Sequence, residues 1–217
     1  EAGEPFREPD GNSAFQDLLF VTGLEAAADM EEAFGIKIYG QRYREMADAI
    51  KKTVVDKYWD PQRGLFADTR DRRNYSQHVN VMAILTGIVE GDEARQVMVR
   101  TLEDETLTQA TIYFRYYLNQ ALRRAGLGDK LLDNMQVWDD QLALGLSTWA
   151  EQPEPSRSDC HAWGASPNIE FFRTLLGIDS DGPGFRTVRI APALGGLKDA
   201  SGAIPHPQGE IAVRYHV

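Results

Sequence analysis

The sequence contains a single cysteine, Cys160, and only four histidines. One cysteine cannot form an internal disulfide, and the histidines have no partner at a recognised metal-ligand spacing. Glycine-rich phosphate loops and G-x-S-x-G elbows are also absent from the sequence. We therefore expect neither a metal nor another cofactor. An apolar run of about 18 residues, which a transmembrane helix needs, is missing too.

Basic residues are scarce relative to acidic ones. The sequence has 23 lysines and arginines and 33 aspartates and glutamates, so its net charge is −10. This negative charge repels nucleic acid and anionic lipid. We expect no nucleic-acid or membrane partner, and a neutral or cationic ligand is favoured. The first residues, "EAGEPFREPDGNSAFQD", lack the basic and apolar regions of a targeting signal, so localisation stays open.

Helical periodicity dominates the sequence. Apolar residues at three- and four-residue spacing predict seven helices, over about 12–35, 43–58, 76–88, 92–102, 108–126, 129–145 and 166–176. The β-branched stretches "FRTVRIAPAL" and "GEIAVRYHV" then predict short antiparallel strands. Brief loops between helices are typical of a helical-hairpin array or an α/α toroid, and a four-helix bundle with extra helices is the alternative. The predicted fold class is mainly α with a short β segment.

A proline-rich loop, "TWAEQPEPSRSDCHAWGASP", interrupts the helical pattern at residues 148–167. Pro153 and Pro155 prevent the sixth helix from continuing. Aromatic rings beside carboxylates suit a sugar, because the rings cover its C–H faces while polar groups bind its hydroxyls. The candidate site residues are Trp149, Glu151, Arg157, Asp159, His161 and Trp163.

Each candidate has two interpretations. Glu151 is either a general base or acid, or a solvated carboxylate, and His161 binds a sugar hydroxyl or is structural. Arg157 orients Glu151 or pairs with Asp159, which is more simply a helix cap. The rings of Trp149 and Trp163 either form a surface on which a sugar binds or belong to the hydrophobic core.

Two further polar features favour structural roles. Cys160 lacks the surroundings of a nucleophile, and we expect it to be a small buried residue. Ser76, Gln77, His78 and Asn80 open the third helix, where a ligand oxygen could bind, but Ser76 as N-cap is the simpler explanation.

Several stretches resemble one known family. They are "STWAE", "PEPSRSDCHAWGASP", "LLGIDSDGPGFRTVRIAPAL", "IPHPQGEIAVRYHV", "YWDPQRGLFADT" and "SQHVNVMAILTGI". Together they resemble the C-terminal half of the bacterial α-L-rhamnosidases, a family of inverting glycoside hydrolases. The resemblance implies about half of an (α/α)6 toroid over residues 1–180 and the beginning of a C-terminal β-sandwich domain over 181–217. It also implies a rhamnose-containing carbohydrate as the substrate.

The same resemblance implies roles for the loop residues. Glu151 corresponds to the general base and His161 to a ligand of rhamnose, and we add Trp149, Trp163 and Arg157 as substrate-binding candidates. The family's general acid lies in an upstream Asp-rich motif that residues 1–147 do not contain. We therefore expect a fragment that is inactive alone and that self-associates through helix surfaces left uncovered. Another (α/α)6 glycosidase and a non-catalytic carbohydrate-binding half-domain remain the alternatives.

Overall fold

The computed structural model describes residues 3–217, and the chain forms two compact units, Glu1–Ala110 and Thr111–Val217. The first unit contains four helices and one short strand pair, namely α1 (Ala14–Phe34), α2 (Lys37–Tyr58), β1 (Trp59–Asp60), β2 (Leu65–Phe66), α3 (Gln77–Leu85) and α4 (Gly91–Glu103). The second contains α5 (Arg115–Arg124), α6 (Gln136–Ala143), α7 (Pro167–Glu170), β3 (Ile178–Ser180), β4 (Val188–Ile190), β5 (Asp199–His206) and β6 (Gly209–His216).

Helices α1 and α2 form a helical hairpin in the first unit. The Ser13 hydroxyl accepts a hydrogen bond from the Gln16 amide and so caps α1, as its sequence pattern predicts. Val21 and Leu24 of α1 pack against Ala47 of α2. Burial of these apolar side chains, each worth about 1 to 3 kcal/mol, holds the hairpin together.

Helix α3 is buried along nearly its whole length, and its polar residues bind the surrounding backbone. Ser76 caps the helix by accepting a hydrogen bond from the Val79 amide at 3.3 Å. The Asn80 side chain accepts from the Phe66 amide at 2.8 Å and donates to the Phe66 carbonyl at 3.0 Å. Gln77 likewise accepts from the Ala110 amide. The polar start of this helix therefore has the structural role that the capping interpretation predicts.

Two buried ionisable groups lie at the start of α3. Asp68 accepts hydrogen bonds from the Ser76 hydroxyl at 2.6 Å and from the Phe6 amide at 3.4 Å. Burial nevertheless raises the pKa of Asp68 to about 6. Burial also lowers the pKa of His78, whose ring packs edge-on against Phe15, to about 4.

The core of the second unit lies between α6 and the helical segments around it. Its buried members are Ile112, Leu131, Met135, Trp138 and Leu175. After α7 the chain continues as a π-helix, Phe171–Leu175, and then enters β3. The core thus joins α6 to the π-helix, and the loop between α6 and α7 packs against it through Trp149.

Two antiparallel strand pairs complete the second unit. Strand β3 pairs with β4, and β5 pairs with β6 from Asp199 opposite His216 to His206 opposite Gly209. The Tyr215 hydroxyl donates to the Leu176 carbonyl at 2.8 Å, which ties the longer pair to the helical part. No helix within residues 3–217 is long and apolar enough to span a membrane.

The predicted fold class is confirmed: seven α-helices lie in the described residues, followed by short antiparallel strand pairs. Some predicted bounds were wrong. The fifth helix begins at Arg115 rather than near 108, because Thr108 exchanges backbone hydrogen bonds with Tyr75 and Gln77. Strand β5, which contains Pro205, lies between the two stretches predicted as strands. Pro205 pairs with Glu210 in a sheet that has only two strands, and an edge strand tolerates proline.

Candidate active site

The loop between α6 and α7 folds back on itself and so brings Glu151 and His161 near each other. The Glu151 amide donates to the Ser158 carbonyl at 2.9 Å, and the His161 amide donates to the Trp149 carbonyl at 2.7 Å. Gln141 of α6 accepts a hydrogen bond from the Ala150 amide at 2.7 Å. Backbone and helix contacts therefore set the position of both candidate residues.

Arg157 forms a two-point ion pair with Glu151. Its Nε donates to Oε2 at 2.9 Å and its Nη2 donates to Oε1. This hydrogen bonding lowers the pKa of Glu151, and the nearby charge of His161 lowers it further. The Glu151 side chain is 20% exposed and that of Arg157 is 80% exposed. A carboxylate held in the ionised form can accept a proton but is a poor proton donor.

The two indoles of the loop have different surroundings. Trp149 is half-buried and packs against the core cluster of the second unit. It also closely covers Gly164, since a Cβ at position 164 would overlap the Trp149 side chain. The Trp138 indole donates to the Gly164 carbonyl at 2.7 Å. Trp163, by contrast, is 49% exposed.

Trp163 adjoins a group of three tyrosines in the α5 region, of which Tyr113 contacts its ring. Tyr113 packs edge-on against the Trp163 ring with centroids 4.7 Å apart, and Tyr117 contacts both Tyr113 and Tyr116. We call Tyr113, Tyr116, Tyr117 and Trp163 the aromatic cluster. An open cavity of about 420 Å³ adjoins it and is lined by Tyr116, Ala162, Trp163, Ala165 and Ser166.

The periodicity over 108–126 predicts only a helix, and it does not identify the aromatic cluster. Tyr113, Tyr116 and Tyr117 have the i, i+3 and i+4 spacing that places residues on one face of a predicted helix, and this spacing was the available signal. The predicted burial of Cys160 was wrong, because the folded-back loop exposes it. Asp159 does not cap the following helical turn, which has no side-chain cap; its carbonyl instead accepts from the Thr148 hydroxyl.

Metal-ligating side chains do not cluster in the described part of the chain. Among residues 3–217, no group of three or more histidine, cysteine, aspartate or glutamate side chains is arranged to hold a metal ion.

Comparisons with known proteins show which family and which solved structures this chain is similar to. Residues 177–217 match a family model described as the bacterial α-L-rhamnosidase C-terminal domain. A search of curated proteins finds no match. Among solved structures, the chain is similar to a GH78 family rhamnosidase of Bacillus sp. GL1, with a TM-score of 0.84 and 26% identity over 95% of this chain and 24% of that one.

Two other solved structures share the fold at lower identity. A rhamnosidase from Klebsiella oxytoca with rhamnose bound matches with a TM-score of 0.66 and 23% identity, over 73% of this chain and 33% of that one. An α-L-rhamnosidase from Aspergillus terreus matches with a TM-score of 0.74 and 16% identity, over 92% of this chain and 25% of that one. The chain thus spans only about a quarter to a third of the length of these relatives.

The helical fold and its β segment are those of a part of solved glycoside hydrolases. Residues 177–217 thus resemble the C-terminal domain of bacterial α-L-rhamnosidases, and the chain as a whole is similar in fold to about a quarter of the length of solved rhamnosidases.

Proposed function

We propose that this chain supplies the general base of an enzyme that removes terminal α-L-rhamnose from glycans or glycosides with inversion. The observation that carries the proposal is the Glu151 carboxylate, which Arg157 holds ionised in the loop that resembles the family's. The rhamnose bound in the Klebsiella oxytoca relative supports the choice of sugar.

An inverting hydrolase needs two carboxyl groups about 6.5 to 9.5 Å apart, with the sugar and a water molecule between them. In our proposal Glu151 accepts a proton from that water as the oxygen attacks the anomeric carbon. A second carboxylic acid protonates the departing oxygen. We place this acid upstream of the chain, since residues 1–147 lack the family's acidic motif, and we propose that the 217 residues alone are inactive.

The remaining loop residues receive supporting roles. We propose that His161 donates a hydrogen bond to a rhamnose hydroxyl and that Arg157 holds Glu151 in place and ionised. Trp163 contacts the substrate with its exposed ring. Trp149 is a sugar contact only through the part of its ring that the core leaves uncovered.

The proposed domain division follows the resemblance, with a partial (α/α)6 catalytic domain over 1–180 and the beginning of a β-sandwich domain over 181–217. The family match at residues 177–217 supports that boundary. We also propose that the isolated chain self-associates through the α1–α2 hairpin. Its exposed apolar side chains support this, with Met30 at 66%, Phe34 at 89% and Ile38 at 69% exposure.

A panel of 4-nitrophenyl glycosides, assayed with the full-length gene product, tests the proposed function. We expect hydrolysis of the α-L-rhamnoside to exceed that of other sugars, with β-rhamnose as the first product seen by NMR. A preference for another sugar would refute the choice of rhamnose, and α-rhamnose as the first product would refute inversion. Saturable rhamnose binding without any hydrolysis would instead favour a non-catalytic carbohydrate-binding module.

A further inference from the structure

Another cavity, of about 310 Å³, lies in the second unit and takes none of its wall from the loop of residues 148–167. The wall comes from the end of α5 and the turn after it, the π-helix, β3, and β4 with the residues that follow. Its charged members are Arg123, Asp129, Arg173, Asp179 and Arg189. Small-molecule sites have volumes of roughly 300 to 1,000 Å³, so this cavity has room for a ligand about the size of a monosaccharide.

Two of the three arginines in the wall share one carboxylate. Arg123 donates through Nη1 to Oδ2 of Asp179, and Arg189 donates through Nη2 to the same oxygen at 3.2 Å. Burial raises the pKa of Asp179, but the hydrogen bonds from the two arginines outweigh burial and lower it below its usual range. One negative charge therefore faces two positive charges, and the group of three keeps an excess of one positive charge.

The other charges of the wall change this excess little. Arg173 is paired with Glu170, which is fully buried and also accepts a hydrogen bond from the Thr174 hydroxyl. Asp129 is exposed, and its Oδ1 accepts from the Gly195 amide at 3.2 Å. Water and salt screen an exposed charge strongly, so Asp129 offsets the excess only in part.

The two arginines also keep N–H groups that a ligand can use. A guanidinium has N–H donors on Nε, Nη1 and Nη2. Within residues 3–217, hydrogen bonds use only Nη1 of Arg123 and only Nη2 of Arg189. Because a guanidinium binds a carboxylate through two parallel hydrogen bonds, the remaining donors suit a carboxylate supplied by a ligand.

Charge and shape together select the class of ligand. An excess of about one charge suits a monoanion, whereas a doubly charged phosphate would leave a negative charge uncompensated beside Asp129 and Asp179. The Asp129 carboxylate can accept a hydrogen bond from a hydroxyl group. The uncharged part of the wall consists of glycine, alanine and Pro192, whose small side chains leave space for a sugar ring.

We infer that this cavity binds a sugar acid, a monosaccharide with one carboxylate group. The carboxylate lies on Arg123 and Arg189, and a hydroxyl group donates to Asp129. The inference goes beyond the proposed function and does not depend on it, because no residue of the cavity belongs to the loop that carries Glu151.

Ligand-observed NMR titration of the full-length gene product with D-glucuronate tests this inference. D-glucose and inorganic phosphate are the comparison ligands, and excess L-rhamnose occupies the proposed site at Glu151. We expect D-glucuronate to bind in the millimolar range and D-glucose, which lacks the carboxylate, to bind about tenfold more weakly. Arg189→Gln removes the excess charge and should weaken D-glucuronate binding by about tenfold.

The matched control is Arg186→Gln. Arg186 is exposed and outside the cavity wall, and its Nε donates to the Pro183 carbonyl at 3.2 Å. Its replacement removes the same charge from the same segment and should leave D-glucuronate affinity unchanged. Circular dichroism checks the fold of each variant. If Arg189→Gln does not fold, Arg189→Lys keeps the charge but loses the parallel donors, and it should weaken D-glucuronate binding by a smaller factor.

The possible outcomes separate this site from the proposed active site. Equal affinity for D-glucuronate and D-glucose would overturn recognition of the carboxylate. D-glucuronate binding that neither Arg189→Gln nor Arg189→Lys weakens would place the ligand elsewhere and overturn the inference. Phosphate binding that is tighter than D-glucuronate binding and is lost in Arg189→Gln would overturn the sugar-acid assignment. None of these results bears on Glu151, whose role is tested by the kinetics of its own variant.

Discussion

Replacement of Glu151 by glutamine in the full-length gene product is expected to lower kcat for 4-nitrophenyl α-L-rhamnoside by about two to four orders of magnitude. Glutamine keeps the size of the side chain but cannot accept a proton from the attacking water. Because the substrate-binding residues remain, KM should change much less than kcat. Steady-state kinetics at several substrate concentrations measure both constants.

The matched control is Glu154→Gln in the same loop. Glu154 is exposed and accepts a local hydrogen bond from the Ser156 amide at 3.3 Å, so its replacement should leave kcat within about twofold. Circular dichroism of both variants checks that the fold is intact. Near-normal turnover by a folded Glu151→Gln variant would eliminate Glu151 as the base.

A substitution of Gly177 by alanine is expected to destabilise the second unit by about 3 to 5 kcal/mol. Gly177 joins the π-helix Phe171–Leu175 to β3 with φ +70°, in the left-handed region that alanine occupies at a cost of about 1 to 2 kcal/mol. An added Cβ would also overlap the backbone of Ala191, which binds the Gly177 carbonyl at 3.0 Å. Urea unfolding followed by tryptophan fluorescence measures the change.

Gly184 provides a control with the same backbone angle. Its φ is also +70°, but an added Cβ would meet nothing within 4 Å. Gly184→Ala should therefore lower the free energy of unfolding by only about 1 to 2 kcal/mol, which is the cost of placing alanine in the left-handed region. If both variants lost the same stability, the overlap of the added Cβ with the Ala191 backbone would contribute nothing to the effect of Gly177→Ala.

Much of the helical framework could be predicted from the sequence because its signals are local. Ser13 and Ser76 lie directly before apolar periodic runs, and both cap helices. The stretch before Arg115 has the same periodicity, yet its backbone bonds to residues more than thirty positions earlier. Such long-range pairing leaves no local signal, so the predicted fifth helix was too long.

In the candidate site, too, contacts between residues near in sequence could be predicted and contacts between distant residues could not. The prolines and polar residues of the loop indicated a ligand site, and the structure brings Arg157 to Glu151, which was one of the two pairings expected. The contact between Tyr113 and Trp163 spans fifty residues of sequence. It depends on how α5 packs beside the loop, and periodicity alone cannot place two such elements together.

Asp68 and His78 have a joint consequence for unfolding of the first unit. Between pH 4 and 6 folded Asp68 keeps a proton that the unfolded chain releases, so its contribution to stability falls as pH rises. Folded His78, with its pKa near 4, excludes a proton that the unfolded chain binds below about pH 6.5, so its contribution rises. The two proton exchanges are opposite and of similar size. The contributions of these two groups therefore largely cancel between pH 4 and 6. In Asp68→Asn only the His78 contribution of the pair remains, so the stability of the first unit should rise with pH from 4 to 6.5 more steeply than in the unchanged chain, as urea titrations would measure.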